Sequence, residues 1–344
     1  MTDVQVTPTE ALRSDRQPTT RSPALSDRIV SLDQFRGWAI FSMVLVNFLG
    51  EYRSMPETLR HHEWGLSFAD VVVPAFLFAV GVAYRLTFLR RMRRDGIWAA
   101  RWAALKRNLV LLLVALVLYG SGHIIEGGLL PGLGRLCQSI LGEIALASLL
   151  ALPFIERGPV VRLVMALVYC GVFQAIYQLT GYGAWMQGNA NDSGPLGSLN
   201  RVCPLLMGTV MYDLLAQPDR RRLLGGAVAL GVAAILVGYG LSLMWGFSKP
   251  FDAVPYVIFM AGICALVQLG FHQLADRARI SIPTFTAVGR NALAIYVIQD
   301  FLLDRHMLPR ETPAMIALAV FLVLYLALYV VARYLDRSGY YIRL

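Results

Sequence analysis

The chain has 344 residues, of which 57% are hydrophobic and only 15% charged, and its formal net charge is +9. A soluble domain carries about 25% charged residues, so these values exclude a water-solvated globule. The apolar residues come in blocks long enough to cross roughly 30 Å of hydrocarbon. Such blocks are expected to be helices, because lipid offers the backbone N–H and C=O groups no partner of its own.

Residues 1–30 are polar, contain Arg13, Arg16, Arg21 and Arg28, and have no apolar run. A secretory signal needs an apolar core near the N-terminus, so this stretch reads as a disordered cytoplasmic tail ahead of a membrane domain over 31–344. Spans are predicted at Leu32–Gly50, Ser67–Leu89, Leu105–Tyr119, Leu136–Ile155, Val160–Leu179, Leu199–Leu215, Leu223–Trp245, Val254–Ala275, Phe285–Leu303 and Pro313–Leu335. The fold class expected is therefore all-α, a polytopic bundle of about ten transmembrane helices. Lys and Arg accumulate on the cytoplasmic side. With this parse, 23 of the 31 Lys and Arg fall on the side of the N-terminus and 7 on the other. Both termini are then cytoplasmic, the positive charge reflects topology, and no nucleic-acid partner is implied. Cys137, Cys170, Cys203 and Cys264 lie in or beside apolar segments without metal-ligand spacing. They read as small buried hydrophobes, and no metal site is expected.

Polar groups inside a membrane are costly and mark sites worth explaining. The first span opens on Ser31-Leu32-Asp33-Gln34-Phe35-Arg36-Gly37. Ser31 and Gln34 have capping-box spacing, and Arg36 can snorkel to the inner headgroups. Asn47 follows near the outer end, either bonding a neighbouring helix or serving a site. The next loop holds His61, His62, Glu63 and Trp64. An imidazole there can accept a proton from an amine or hydroxyl nucleophile, while Trp64 reads as an interfacial anchor. Ser67 and Asp70 again have capping-box spacing, and Asp70 is also near enough in sequence to orient a loop histidine. Arg85, Arg90, Arg91, Arg93 and Arg94 form an inner basic run, read as a solvated face over anionic lipid or as a phosphate site. Further polar groups within spans are Gln138, Glu143, Asn200, Arg290, Asn291 and Asp300. Glu143 is the expected partner for Arg290, since Asp300 lies about 15 Å farther along the helix.

The stretch from Ser31 to Asn47, then Leu59-Arg60-His61-His62-Glu63-Trp64 and Ala69-Asp70-Val71-Val72-Val73-Pro74, resembles the heparan-α-glucosaminide N-acetyltransferase family and its bacterial relatives. Leu130-Pro131-Gly132 and Gly289-Arg290-Asn291 are similar to later segments of that family. The interval from Trp64 to Asp70 is one residue shorter than in typical members, which leaves His61 and His62 as alternatives for the active histidine. The resemblance implies a transmembrane acyltransferase using cytosolic acetyl-CoA. His61 would be its base or acyl carrier, Asn47 its oxyanion donor and Asp70 its imidazole-orienting group. Arg36, Arg85, Arg90, Arg290 and Asn291 would bind the cofactor. The acceptor implied is a sugar-like amine or hydroxyl on the outer side, and the location a bacterial inner membrane, with homodimerisation open. Arg36, ten residues and then Asn47 are also similar to the Arg-x10-His of membrane O-acyltransferases, with Asn in place of His. The competing expectation is a transporter of a small polar solute, its polar residues lining a path.

Overall fold

The computed structural model describes residues 29–60, 62, 64–189, 194–251, 253–303 and 308–340. The tail expected over residues 1–30 thus lies almost wholly outside the described residues, as does His61. Every regular element among the described residues is helical. The α-helices are α1 (Val30–Leu49), α2 (Val72–Asp95), α3 (Ile97–Ala115), α4 (Ser121–Gly127), α5 (Leu129–Gln138), α6 (Ile140–Ala151) and α7 (Pro159–Leu179). They continue as α8 (Tyr182–Asn189), α9 (Gly197–Leu215), α10 (Arg220–Trp245), α11 (Val254–Phe271), α12 (Pro283–Arg290), α13 (Ala292–Leu303) and α14 (Ala314–Arg337).

Six helical stretches are long and apolar enough to cross a membrane: Phe68–Asp95, Ile97–Gly127, Pro159–Leu179, Arg220–Trp245, Val254–Arg277 and Ala314–Arg337. A seventh is admitted if α5 and the α6 stretch count as one span despite a 79° bend. The remaining expected spans coincide with α1, α9 and the α12–α13 pair, which fall short of that length or apolarity. Their polarity has a reason. The α1 and α9 helices run through the protein interior, where Ser31, Gln34, Ser42, Asn200, Arg201 and Thr209 are all buried. The α2 and α11 helices are interior too, whereas α3, α7, α10 and α14 present Leu113, Leu167, Leu236 and Val323 outward. An inner group of helices is thus wrapped by an outer, lipid-facing group.

Small residues let the interior helices approach closely, the usual device where lipid supplies no hydrophobic drive between helices. A Cβ on Gly81 of α2 would overlap the Leu205 carbonyl of α9, and one on Gly208 of α9 would overlap the Phe78 carbonyl of α2. Gly37 and Gly289 do the same between α1 and α12. The offending atoms are backbone, which cannot swing aside. Gly208→Val is therefore expected to destabilise by about 1–3 kcal/mol through overpacking, read as a lowered thermal midpoint in detergent. Gly225→Ala, with open space around it, should leave the midpoint where it was.

Several expectations need correction. Ser31 and Gln34 do not form a capping box: α1 begins at Val30, so both lie within it. Ser31 instead donates its backbone N–H and hydroxyl to Asp276, while Gln34 exchanges hydrogen bonds with the Ile282 backbone and reaches Thr286. The fourth span is broken, because Ser139 leaves the helix and caps α6 by accepting from Gly142 N–H. The ninth is interrupted at Asn291, which leaves the helical region at φ −115° and ψ 31°. The third begins earlier and runs farther than Leu105–Tyr119, over Ile97–Gly127.

Contacts between helix ends fall into two sets. One joins Ser31 to Asp276, Arg85 and Arg162 to Asp213, Arg101 to Glu156 and Arg290 to Asp336. The other joins Arg53 and Ser54 to the 310–312 backbone, Gly65 to Phe247 and Tyr119 to Asp300.

Candidate functional site

The α1 helix ends at Leu49, and Gly50 caps it. A Cβ on Gly50 would stand 2.6 Å from the Leu59 carbonyl, so only glycine lets the following loop fold back over the helix end. Arg60 pins that loop by donating to the carbonyls of Tyr52 at 2.9 Å and Met55 at 3.4 Å. Burial, reinforced by the Glu51 carboxylate beside it, raises the pKa of the Tyr52 phenol above the ordinary tyrosine value. His62 Nε2 lies 3.2 Å from the Glu57 carbonyl. Gly65 N–H donates to the Phe247 carbonyl at 3.0 Å, and the exposed Trp64 ring packs on Phe251. The backbone on both sides of His61 is therefore tied down.

Beneath this loop is a cavity of about 580 Å³, within the range of small-ligand sites. Its wall includes Asn47, Arg53, Leu59, Arg60, Asp300 and Arg310. Asn47 is exposed there rather than bonded across to a neighbouring helix. Asp300 accepts from the Tyr119 hydroxyl at 2.6 Å, and Tyr119 in turn lies 3.5 Å from the Tyr296 hydroxyl. Arg310 approaches Glu51 at 3.7 Å, and Arg53 approaches Glu311 at 3.5 Å.

Asp70 is fully buried and is not among the wall residues. Its Oδ2 accepts from both the backbone N–H and the hydroxyl of Ser67, at 2.8 and 2.9 Å. Its carbonyl accepts from Tyr256 at 2.9 Å. The capping box expected at Ser67 is present and fixes the entry into α2.

The basic groups expected to meet a cofactor are differently employed. Arg85 is buried rather than solvated. Its guanidinium grips Asp213 at 2.9 and 3.3 Å and also donates to the Ile155 carbonyl. The same Asp213 accepts from the fully buried Arg162, which donates to Thr209 as well. Arg90 is half-buried, and Arg91, Arg93 and Arg94 are exposed as a solvated face would be. Arg290 is not paired with Glu143: it meets both oxygens of Asp336 at 2.9 and 3.1 Å and Asp33 at 4.0 Å. Glu143 pairs with the buried Arg201. Asn291 is buried and donates to the Ala332 carbonyl at 3.4 Å. Arg36 is half-buried on α1, eleven residues and so about 16 Å below Asn47. All four cysteines are free, and three are buried.

Residues 28–193 match the family model described as heparan-alpha-glucosaminide N-acetyltransferase, catalytic. The resemblance to that family is thereby shown. Heparan-alpha-glucosaminide N-acetyltransferase of Homo sapiens is 39% identical over 88 residues, which are 25% of this chain and 13% of that protein. The enzyme of the same name from Mus musculus is 35% identical over 86 residues, 25% of this chain and 12% of that protein. The aligned stretch thus spans about an eighth of the curated relatives' length. With these apolar helices, the heparan-alpha-glucosaminide N-acetyltransferase-like chain is an integral, multi-pass membrane protein.

Sequence reading missed Asp213, whose carboxylate holds two arginines, and the partnership of Arg201 with Glu143. Each is a charge inside an apolar run, so intramembrane cost alone would have flagged it. It also missed Tyr84 and Asn108, both buried.

Proposed function

We propose that this protein is a transmembrane acetyltransferase that moves an acetyl group from cytosolic acetyl-CoA to an amine or hydroxyl, sugar-like acceptor on the outer side of a bacterial inner membrane. Ten crossings with both termini cytoplasmic fit the sorting of helix-end contacts into two sets, each joining loops assigned to one side. His61 takes the acceptor's proton as its nitrogen or oxygen attacks the thioester carbon. The C–S bond then breaks, the new C–N or C–O bond remains, and the proton passes to the leaving thiolate. In a two-step variant His61 itself carries the acetyl group between donor and acceptor. Asn47 donates to the developing oxyanion, and Asp70 holds the imidazole ring. Arg36 and Arg90 remain cofactor candidates, whereas Arg85 and Arg290 are largely neutralised by carboxylates.

The observation that carries this reading is the cavity at the end of α1. It puts the side chain of Asn47 in open space on one wall with Leu59 and Arg60, the residues that lead into His61. In proteoliposomes supplied with acetyl-CoA and a glucosamine acceptor, the protein should form the acetylated sugar. Asn47→Ala should lower kcat by about 10²–10³-fold, the usual cost of one oxyanion donor, with acetyl-CoA affinity unchanged. Full activity in Asn47→Ala would remove Asn47 from the mechanism. Solute uptake without any acyl donor would instead favour a transporter.

A further inference from the structure

Buried polar groups nearly always find hydrogen-bond partners, so those that do not call for an explanation. One group of them lies between α2 and α3, away from the cavity described above. Asn108 is fully buried, and neither atom of its amide has a hydrogen-bond partner. The Tyr84 hydroxyl stands beside that amide, is equally buried, and makes no hydrogen bond of ordinary geometry. The Arg107 guanidinium lies 5.3 Å from the centre of the Tyr84 ring, and its Nε is buried without a partner. Among the described residues Arg107 has no carboxylate within ion-pair distance. Elsewhere at this end of the bundle the fold does supply carboxylates to such cations, with Asp213 serving Arg85 and Arg162 and Glu156 serving Arg101. Arg107 is therefore an exception in its own neighbourhood. On α6, which packs against α3, the buried Ser148 hydroxyl is also without a partner.

The depth of this cluster is set by its neighbours. Trp98 and Trp102 are exposed on the first turns of α3, with Arg101 and Lys106 over their rings at 5.3 and 5.2 Å. Exposed tryptophans with cations over them mark a membrane–water interface. Arg107 and Asn108 follow Lys106 directly, so the cluster begins just below that interface, on the face that carries the 85–107 basic residues. A water-soluble ligand reaches it without crossing the hydrocarbon.

We infer that Tyr84, Arg107 and Asn108 bind the phosphopantetheine arm of an acyl-CoA donor. The chemistry fits in parts. A phosphate suits a guanidinium lacking a protein anion. A secondary amide offers one donor and one acceptor, and the Asn108 side chain offers the complement of both. The Tyr84 hydroxyl completes the second amide or a hydroxyl of the arm. This assignment rests on the acetyltransferase reading above and replaces Arg85 and Arg290 as the principal donor contacts. A lipid headgroup shares the phosphate but not the amides.

The test uses full-length protein in nanodiscs of zwitterionic lipid, with and without anionic lipid. Binding of acetyl-CoA and of 4′-phosphopantetheine is measured for wild type, Asn108→Ala and Tyr84→Phe. Each variant should bind both ligands about tenfold more weakly, the cost of one good hydrogen bond. The ligand-free thermal midpoint should stay level or rise, because an unpartnered group contributes nothing before ligand arrives. Variants that bind as tightly as wild type would overturn the assignment, as would a lowered ligand-free midpoint with binding intact. Loss of an anionic-lipid effect on the midpoint, with acetyl-CoA binding unchanged, would assign the cluster to lipid phosphate and likewise overturn it. Wild type that binds neither acetyl-CoA nor phosphopantetheine would overturn the acetyltransferase reading itself.

Discussion

His61→Ala is expected to reduce acetyl transfer by about 10⁴-fold, the upper range for a lost general base, while the helical content and thermal midpoint stay those of wild type. His62→Ala is expected to cost less than about tenfold, a loss of roughly 1.4 kcal/mol in transition-state stabilisation. The two histidines are adjacent in sequence but not equivalent. The His62 ring nitrogen is already beside the Glu57 carbonyl within its own loop. Arg60, on the other side, is spent on the carbonyls of Tyr52 and Met55. That leaves His61 between two fastened residues, over a cavity whose wall already includes Leu59 and Arg60. Rates of acetyl transfer by each purified variant, with matched circular dichroism melts, decide the matter. Equal losses in both would assign the loop as a whole rather than one imidazole. A labelled acetyl group trapped on His61 would select the two-step route, and its absence under rapid quench would select direct transfer.

The membrane character of the chain was legible because lipid imposes one rule on every span: long apolar blocks must be helices. The interior was less legible for the same reason. The α1 and α9 helices need not be apolar all round, since their neighbours are protein, and they fall short of the length or apolarity of the lipid-facing helices. Breaks at Ser139 and Asn291 were invisible to hydropathy, because a capping serine or an asparagine costs little in such an average. Charge partners were the least legible part. Arg290 and Glu143 were matched in sequence as two intramembrane charges, yet Asp336 and Arg201 hold them. Nothing in a linear pattern says which of several carboxylates a folded bundle will bring near a given arginine. The Ser67 to Asp70 capping box, by contrast, was readable in full, since both partners lie within one turn. Local hydrogen bonding survives translation from sequence to structure where long-range pairing does not.

Asp213 supplies the sharpest test of that long-range pairing. Asp213→Ala is expected to destabilise the protein by about 3–5 kcal/mol, the cost of breaking a buried ion pair from one side. The reason is asymmetric. Asp213 serves both Arg85 and Arg162, and Arg162 is fully buried. Removing the carboxylate leaves two cations without their anion at once. Arg162→Ala should cost less, because it leaves Asp213 still paired with Arg85 and removes the more deeply buried charge. Asp213→Asn should fall between wild type and Asp213→Ala, as its amide oxygen still accepts a hydrogen bond from one guanidinium. The order of thermal midpoints in detergent is then wild type, Asp213→Asn, Asp213→Ala, with Arg162→Ala above Asp213→Ala. If Arg162→Ala proves the more damaging of the two alanine variants, the stabilising contacts of that site are the Arg162 bonds to Thr209 and the Arg157 carbonyl. The carboxylate shared by two helices would then be secondary, and α2, α7 and α9 would be held at this end by packing around their glycines rather than by charge.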